Sequence, residues 1–161
     1  MKGKYGLKAL AYLARLKPGQ SARAMEIAAA DNIPKKFLDA ILGELRREKI
    51  VVSRKGPGGG YALARDASEI TLGEVIRVLD GPLAPIRCAS RKSYLPCTDC
   101  RSVARCTVRL AMLEVRDAVA GILDRTTLDH MLHAPDIIRH AEIGVSEKSR
   151  RAGTKRRAAS A

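Results

Sequence analysis

The segment Lys55-Gly56-Pro57-Gly58-Gly59-Gly60 lies between two short apolar runs, Ile50-Val51-Val52-Ser53-Arg54 and Tyr61-Ala62-Leu63. No other stretch restricts the fold as much. Glycine carries the largest backbone entropy cost and proline lacks an amide donor, so this segment propagates neither a helix nor a central strand. The β-branched and aromatic residues on either side read as strands. A hairpin is predicted, with a tip that tolerates positive φ and lets backbone approach another surface closely. The glycines are not a nucleotide cradle, because the pattern GxxxxGK[ST] is absent.

Helical patterns precede the hairpin. A first helix is expected over roughly 3–16, with Leu7, Leu10, Ala11 and Ala14 on one face, Leu13 beside them, and Pro18-Gly19 ending it. A short second helix fits Ser21 to Ala30, with Ser21 as N-cap and Met25, Ile27 and Ala28 facing inward. Asp31-Asn32 is a turn signal, and Pro34 opens a third helix, where its missing N–H costs nothing. Phe37, Leu38, Ile41, Leu42 and Leu45 form one stripe of period 3.6 on that helix. Its other face carries Lys35, Lys36, Asp39, Ala40, Gly43, Arg46 and Arg47. Two short helices across a tight turn, the second basic outside and followed by a hairpin, describe a winged helix-turn-helix.

The charge distribution agrees with that description. The net charge is +13, with Lys and Arg against Asp and Glu at 14 to 6 in residues 1–66, 10 to 10 in 67–146, and 6 to 1 in 147–161. A basic N-terminal third beside a neutral middle reads as a polyanion-binding head on a scaffold. Reading DNA needs cations that replace phosphate counterions and short side chains that reach base edges. Lys35, Lys36 and Asp39 stand in the first turns of the third helix, where a recognition helix enters the major groove. Asp39 can accept from the amino group of cytosine, or it can simply complement the helix dipole. Arg54, Lys55, Gly58 and Gly59 belong to a wing that lies against the backbone or slips a cation into the minor groove.

After the hairpin, Thr71-Leu72-Gly73-Glu74 is a capping-box pattern opening a helix to about Leu79, stopped by Asp80-Gly81-Pro82. Residues 83–104 look irregular. From about 103 to 123 a long helix carries Val108, Met112, Val115, Val119 and Ile122 at alternating spacings of four and three. That is a coiled-coil seam suited to dimerisation, which a reader of two half-sites requires; a core-facing helix within one subunit is the alternative. Three parts are expected: a DNA-binding head over 1–66, a linker helix, cysteine loop and dimerisation helix over 67–145, and a disordered basic tail over 146–161. The fold class is mainly α with a small β-hairpin wing.

Four cysteines follow the pattern C-x8-C-x2-C-x5-C: Cys88, Cys97, Cys100 and Cys106. Thiolates so spaced can hold an iron–sulphur cluster or zinc, and a metal-free thiol switch is a third possibility. Four thiolates serve a two-iron (2Fe–2S) and a four-iron (4Fe–4S) cluster equally. His130, His133 and His140 read as surface or packing residues rather than ligands.

KGKYGLKAL, SRKGPGGGYALARDASEITLGEVI and the cysteine stretch after Asp80-Gly81-Pro82 resemble the Rrf-two family of winged-helix regulators, over about residues 2–132. This is the group of the iron–sulphur assembly, nitric-oxide and rhizobial iron regulators. The resemblance implies a homodimer whose long helix crosses its partner, Lys55 in the minor groove, and Asp39 at a base-discriminating position. It tilts the cysteines toward a cluster, with Cys88, Cys100 and Cys106 matching the family's three, although the first gap is longer than usual. The family's further ligands are missing: Arg109 stands where one branch has a histidine and Lys4 where another has the partner's aspartate. Cys97 is then the natural fourth ligand. The chain also starts several residues short of the family's usual beginning, as expected of a missing first strand or a misassigned start.

Function classes narrow accordingly. No Ser/His/Asp constellation, paired carboxylates or phosphate loop suggests an enzyme. With one Phe, four Tyr and no Trp, stacking on single-stranded RNA is poorly supported. No apolar run reaches membrane-spanning length, and Lys8 interrupts any signal-peptide core. The sequence thus predicts a cytoplasmic, homodimeric repressor on a palindromic double-stranded DNA operator, sensing iron, redox state or nitric oxide through a cysteine-ligated cluster. The alternative is a regulator with a zinc clip or thiol switch.

Overall fold

The structure, a computed structural model, describes residues 2–100 and 102–133; the expected basic tail and His140 lie outside the described residues. The elements are α1 (Lys2–Ala14), α2 (Ala24–Asp31), α3 (Lys35–Arg47), β1 (Val51–Arg54), β2 (Gly60–Leu63), α4 (Leu72–Leu79), one 3-10 turn (Arg87–Ala89), α5 (Thr107–Leu123) and α6 (Leu128–Leu132). β1 and β2 pair antiparallel, with Val51 opposite Leu63 and Arg54 opposite Gly60. The fold is mainly helical with a hairpin wing, as the sequence predicts.

Residues Met1–Asp129 form one compact unit, and a second begins at His130. Its core is the α3 stripe of Leu38, Ile41, Leu42 and Leu45, closed by Leu10, Ile27, Ile50, Ile70 and Val75. Each such side chain stabilises the fold by about 1.5–3 kcal/mol relative to exposure. Phe37, expected in the same stripe, is 39 % exposed and meets Tyr5 edge-on, with ring centroids 5.8 Å apart.

α1 buries a different face from the expected one: Gly3, Gly6, Ala9, Leu10 and Leu13 point inward. The reason is α4, which packs across α1. A Cβ on Gly6 would overlap Leu79 Cδ1, and one on Gly3 would overlap the Asp80 carboxylate, so two glycines permit the approach. The Gly3 amide donates to Asp80 Oδ2 at 3.0 Å.

α2 begins three residues later than expected. Ser21 is not its N-cap, because Ala22 bridges to Tyr61, with Tyr61 N–H donating to the Ala22 carbonyl at 2.7 Å and Ala22 N–H donating back at 2.9 Å. The helix starts after Arg23, whose amide donates to Glu26 Oε2 at 2.8 Å. Met25 is 67 % exposed rather than inward. Asn32 closes α2 in the left-handed region at φ 51°.

Thr71 caps α4 as its sequence predicts, accepting the Glu74 amide at 3.2 Å. The Glu74 carboxylate does not complete the box; it pairs with Arg65 at 2.5 Å. The start of α4 is clasped by the α5–α6 connection, with Leu72 N–H donating to Thr126 O at 2.9 Å and Leu128 N–H to Ile70 O at 2.8 Å. Arg77 grips Asp124 through both guanidinium nitrogens at 2.6 and 2.8 Å, tying α4 to the end of α5. α5 begins at Thr107 rather than 103. No helix among the described residues is long and apolar enough to cross a membrane.

Candidate nucleic-acid interface and thiol site

The outer face of α3 is where the sequence places it. Lys35, Lys36 and Asp39 are exposed on its first turns, and Lys35 Nζ pairs with Asp39 Oδ2 at 2.7 Å. A carboxylate has about four lone-pair sites, so Asp39 can hold Lys35 and still accept from a base edge.

The wing is tied down at three points. Beyond the Ala22–Tyr61 bridge at its base, Ser21 Oγ donates to Gly58 O at 2.7 Å, and the Arg54 guanidinium donates to Gly19 O. Gly56 and Gly58 have φ of 98° and 81°, conformations that favour glycine. A Cβ on Gly59 would press on the Arg54 carbonyl at 2.5 Å. With Arg54 turned back onto the α1–α2 loop, Lys55 remains as an exposed wing cation with no hydrogen bond or ion pair among the described residues.

The four cysteines, 18 residues apart from first to last in sequence, converge. Cys88 is buried in the 3-10 turn, and Cys97, Cys100 and Cys106 are half-buried. Cys100 and Cys106 have Sγ atoms 3.8 Å apart. The Cys97 thiol, with burial adding to it, pushes the Cys88 pKa up. The Cys106 thiol, again with burial, pushes Cys100 up. Cys106 moves the other way: it stands just before α5, where the Arg109 amide first and then the Cys100 thiol lower its pKa. A thiol at a helix N-terminus ionises readily and is a ready metal ligand. The four thiols are near neighbours, Cys88 interacting with Cys97, Cys97 with Cys100, and Cys100 with Cys106. A tetrahedral metal with sulphur bonds of about 2.3 Å places two ligand sulphurs about 3.8 Å apart, so the Cys100–Cys106 spacing suits two thiolates on one metal centre. Asp99 joins them, with its carboxylate, Cys97 Sγ and Cys100 Sγ all within 4.8 Å of one another.

Two arginines of α5 hold this loop. Arg109 Nε donates to Cys88 O at 2.9 Å, and Arg116, only 8 % exposed, donates to Ala89 O at 2.9 Å and to Asp117 through Nε and Nη2. Arg109 therefore braces the backbone of a cysteine. Lys4 is exposed on α1, and His130 and His133 are exposed on and just after α6.

The seam of α5 is open. Val108, Val115 and Ile122 are exposed, Val108 and Ile122 to 60 % and 61 %, with Met112 and Val119 between them.

The family described as Rrf2, an iron-dependent transcriptional regulator, matches residues 1–134. The chain belongs to the Rrf2 family. It is 40 % identical over 136 residues to an rrf2-like HTH-type transcriptional regulator of Rhodobacter capsulatus, covering 83 % of this chain and 91 % of that one. The structure of CymR, the global cysteine regulator of B. subtilis, superposes with a TM-score of 0.68 at 31 % identity, covering 83 % of this chain and 95 % of CymR. T. potens IscR superposes with a TM-score of 0.66 at 25 % identity, covering 84 % and 85 %. As an Rrf2 member the chain is a winged-helix, DNA-binding transcription regulator and not an enzyme.

Sequence reasoning missed Asp99, Arg116 and Ser21 as parts of these sites. Asp99 lies between two cysteines and was within reach. Arg116 and Ser21 act on carbonyls 27 and 37 residues away, which no local pattern encodes.

Proposed function

We propose that this Rrf2 protein is a homodimeric repressor that reads a palindromic operator and senses iron, redox state or nitric oxide through a cluster held by Cys88, Cys97, Cys100 and Cys106. The head of residues 1–66 reads DNA, with Lys35, Lys36 and Asp39 in the major groove and Arg54, Lys55, Gly58 and Gly59 forming the minor-groove wing. Residues 67–145 sense and pair. The open α5 seam supports pairing, since a run of exposed Val and Ile on one helix is ordinarily covered. A DNA target, and cysteines spaced for a metal rather than for disulfides, support a cytoplasmic location.

One observation supports the cluster reading: four thiols from a 19-residue stretch lie against one another, Cys88 with Cys97, Cys97 with Cys100, and Cys100 with Cys106 at 3.8 Å. The donor set of four thiols fits an iron–sulphur group of either two or four irons. The family's iron-dependent description points the same way. When bound, such a group supplies a redox- and nitric-oxide-sensitive linkage among the four cysteines. Arg109 and Arg116 connect the Cys88 turn to α5, while Arg77–Asp124 connects α5 to α4 and hence to α1 and α3. A change at the loop can then bias the head by a coupling of about 1–3 kcal/mol, roughly 5- to 150-fold in DNA affinity.

A zinc clip is the second reading, favoured by the carboxylate of Asp99 beside Cys97 and Cys100, a mixed donor set that zinc accepts.

Anaerobic purification with an absorption spectrum and assays of iron, acid-labile sulphide and zinc separates the two. A brown protein with iron and sulphide is expected, with less of both in Cys97→Ala. A colourless protein with one zinc per chain, unchanged after anaerobic reconstitution, would leave a DNA-binding protein with a structural metal. On the head, Lys55→Ala is expected to reduce the salt dependence of DNA binding by about one unit of log–log slope, read by titrations at several salt concentrations.

A further inference from the structure

A cavity of about 590 Å³ opens where the end of α4, the Gly81–Ala84 connection, residues 90–93 and α5 come together. It lies on the side of α5 that carries Arg116, Asp117, Ala120 and Asp124, away from the exposed Val108–Val115–Ile122 seam. None of the four cysteines lines it. Its size falls within the range that holds small molecules.

The charges on its walls are unequal. Arg77, Arg91, Lys92 and Arg116 face Asp117 and Asp124, so four cations against two carboxylates leave two positive charges in excess. Both carboxylates are already engaged: Asp124 by Arg77, Asp117 by Arg116 and, at 3.3 Å, by Arg91. The cations are not used up. Lys92 makes no hydrogen bond or close ion pair among the described residues and only acts at longer range on Asp124, and Arg91 holds Asp117 only at the long distances of 3.3 and 3.4 Å. Buried Arg116 uses three of its five N–H donors, on Ala89 O and the Asp117 carboxylate, and keeps two in reserve. Pro82, Leu83 and Ala120 add apolar wall.

The geometry points to a binding site for a small organic dianion, a dicarboxylate with a short carbon chain, held by Arg91, Lys92 and Arg116. Two acid groups answer the two spare charges, and the carbon chain covers the apolar wall. An amino acid fits less well, because its ammonium would have to take a carboxylate from an arginine that already holds it. A bound dianion would bridge α4, the loop after Cys88 and α5.

Succinate is the probe, titrated calorimetrically into the full-length protein at constant ionic strength, with neutral succinamide and inorganic sulphate as comparisons. Saturable succinate binding, none for succinamide, and weaker binding for sulphate are expected. Arg91 and Lys92 are exposed, so Arg91→Ala and Lys92→Ala should fold, which circular dichroism checks. Each should weaken succinate about tenfold or more, as expected for a lost charge-assisted hydrogen bond. Absence of saturable binding would overturn the assignment. So would succinate affinity unchanged in both variants, which would move the anion to the basic head, or sulphate competing as strongly as succinate, which would remove the organic class.

Discussion

Between Lys2 and Leu79 the chain is held by apolar burial, with Leu10, Ile27, Leu38, Ile41, Leu42, Leu45, Ile50, Ile70 and Val75 sealed from solvent. Between Gly81 and Cys106 the only buried residues among those described are Cys88, Ala89 and Ser90, and the loop is held by arginine donors and neighbouring thiols. The head's shape follows from its own side chains. The loop carries thiols, groups able to ionise, oxidise or take a metal. On the function proposed above, the two kinds of cohesion would separate a rigid reader from a conditional sensor, because metal binding and local order are thermodynamically linked.

The largest effect should come from emptying the head. Leu42→Ala is expected to cost about 2–5 kcal/mol of unfolding free energy in a denaturant titration, while the metal content per folded chain that the proposed function calls for stays as before. Loss of metal in the folded fraction would show that the loop leans on the α3 core and would break the contrast.

Arg116→Ala should act on the other side. It strips the buried Ala89 carbonyl of its donor, an expected cost of about 1–3 kcal/mol. Hydrogen exchange should accelerate at the Ser90 and Leu95 amides, which both donate to Arg87 O, and stay slow at Leu42. Equal acceleration at both would mean that head and loop open as one unit.

Thr71→Ala removes the cap of α4, the helix between the two regions, at about 1 kcal/mol in thermal or chemical unfolding. An effect confined to α4 and the α5–α6 connection would sharpen the comparison, and one reaching α3 would blur it.

The smallest effect is the pH response of the Arg77–Asp124 clamp. Arg77 holds the Asp124 carboxyl below its ordinary value, so the folded pKa lies under the unfolded one. The clamp's contribution is then complete above about pH 4 and is lost as pH falls through the folded value. Because the pair is partly exposed, the expected change is small. In acid titrations below about pH 4, Asp124→Asn should flatten the stability curve; an unchanged slope would mean the clamp contributes nothing.

Much of the head was legible before any coordinates. The α3 stripe, the Gly-rich tip and the Thr71 cap each rest on a local pattern: period 3.6, positive φ, and an Ncap hydroxyl three residues before its donor. The misreadings have a common cause. Gly3 and Gly6 are buried, yet glycine carries no apolar signal, so α1 looked hydrophobic on the wrong face. Ser21 had the chemistry of a cap but was claimed by a wing 37 residues away. Met25 and Phe37 have core side chains on positions that face out. In the loop, spacing alone pointed to a metal. The run of neighbouring thiols from Cys88 through Cys97 and Cys100 to Cys106, and the arginines that hold the Cys88 and Ala89 carbonyls, depend on the packing of α5 against the loop, and a linear pattern does not contain that packing.

The strap from Ser21 and Ala22 to the wing has a kinetic consequence. A hairpin already pinned at base and tip arrives at a duplex in its final shape, so no loop has to be ordered at the moment of contact, a step that ordinarily draws down binding free energy. Encounter rates with strong and weak sites should then be alike, set by diffusion and by the basic head's attraction for phosphate. Preference for one sequence over another would appear as residence time: the protein finds many sites equally fast and lets go of the wrong ones sooner.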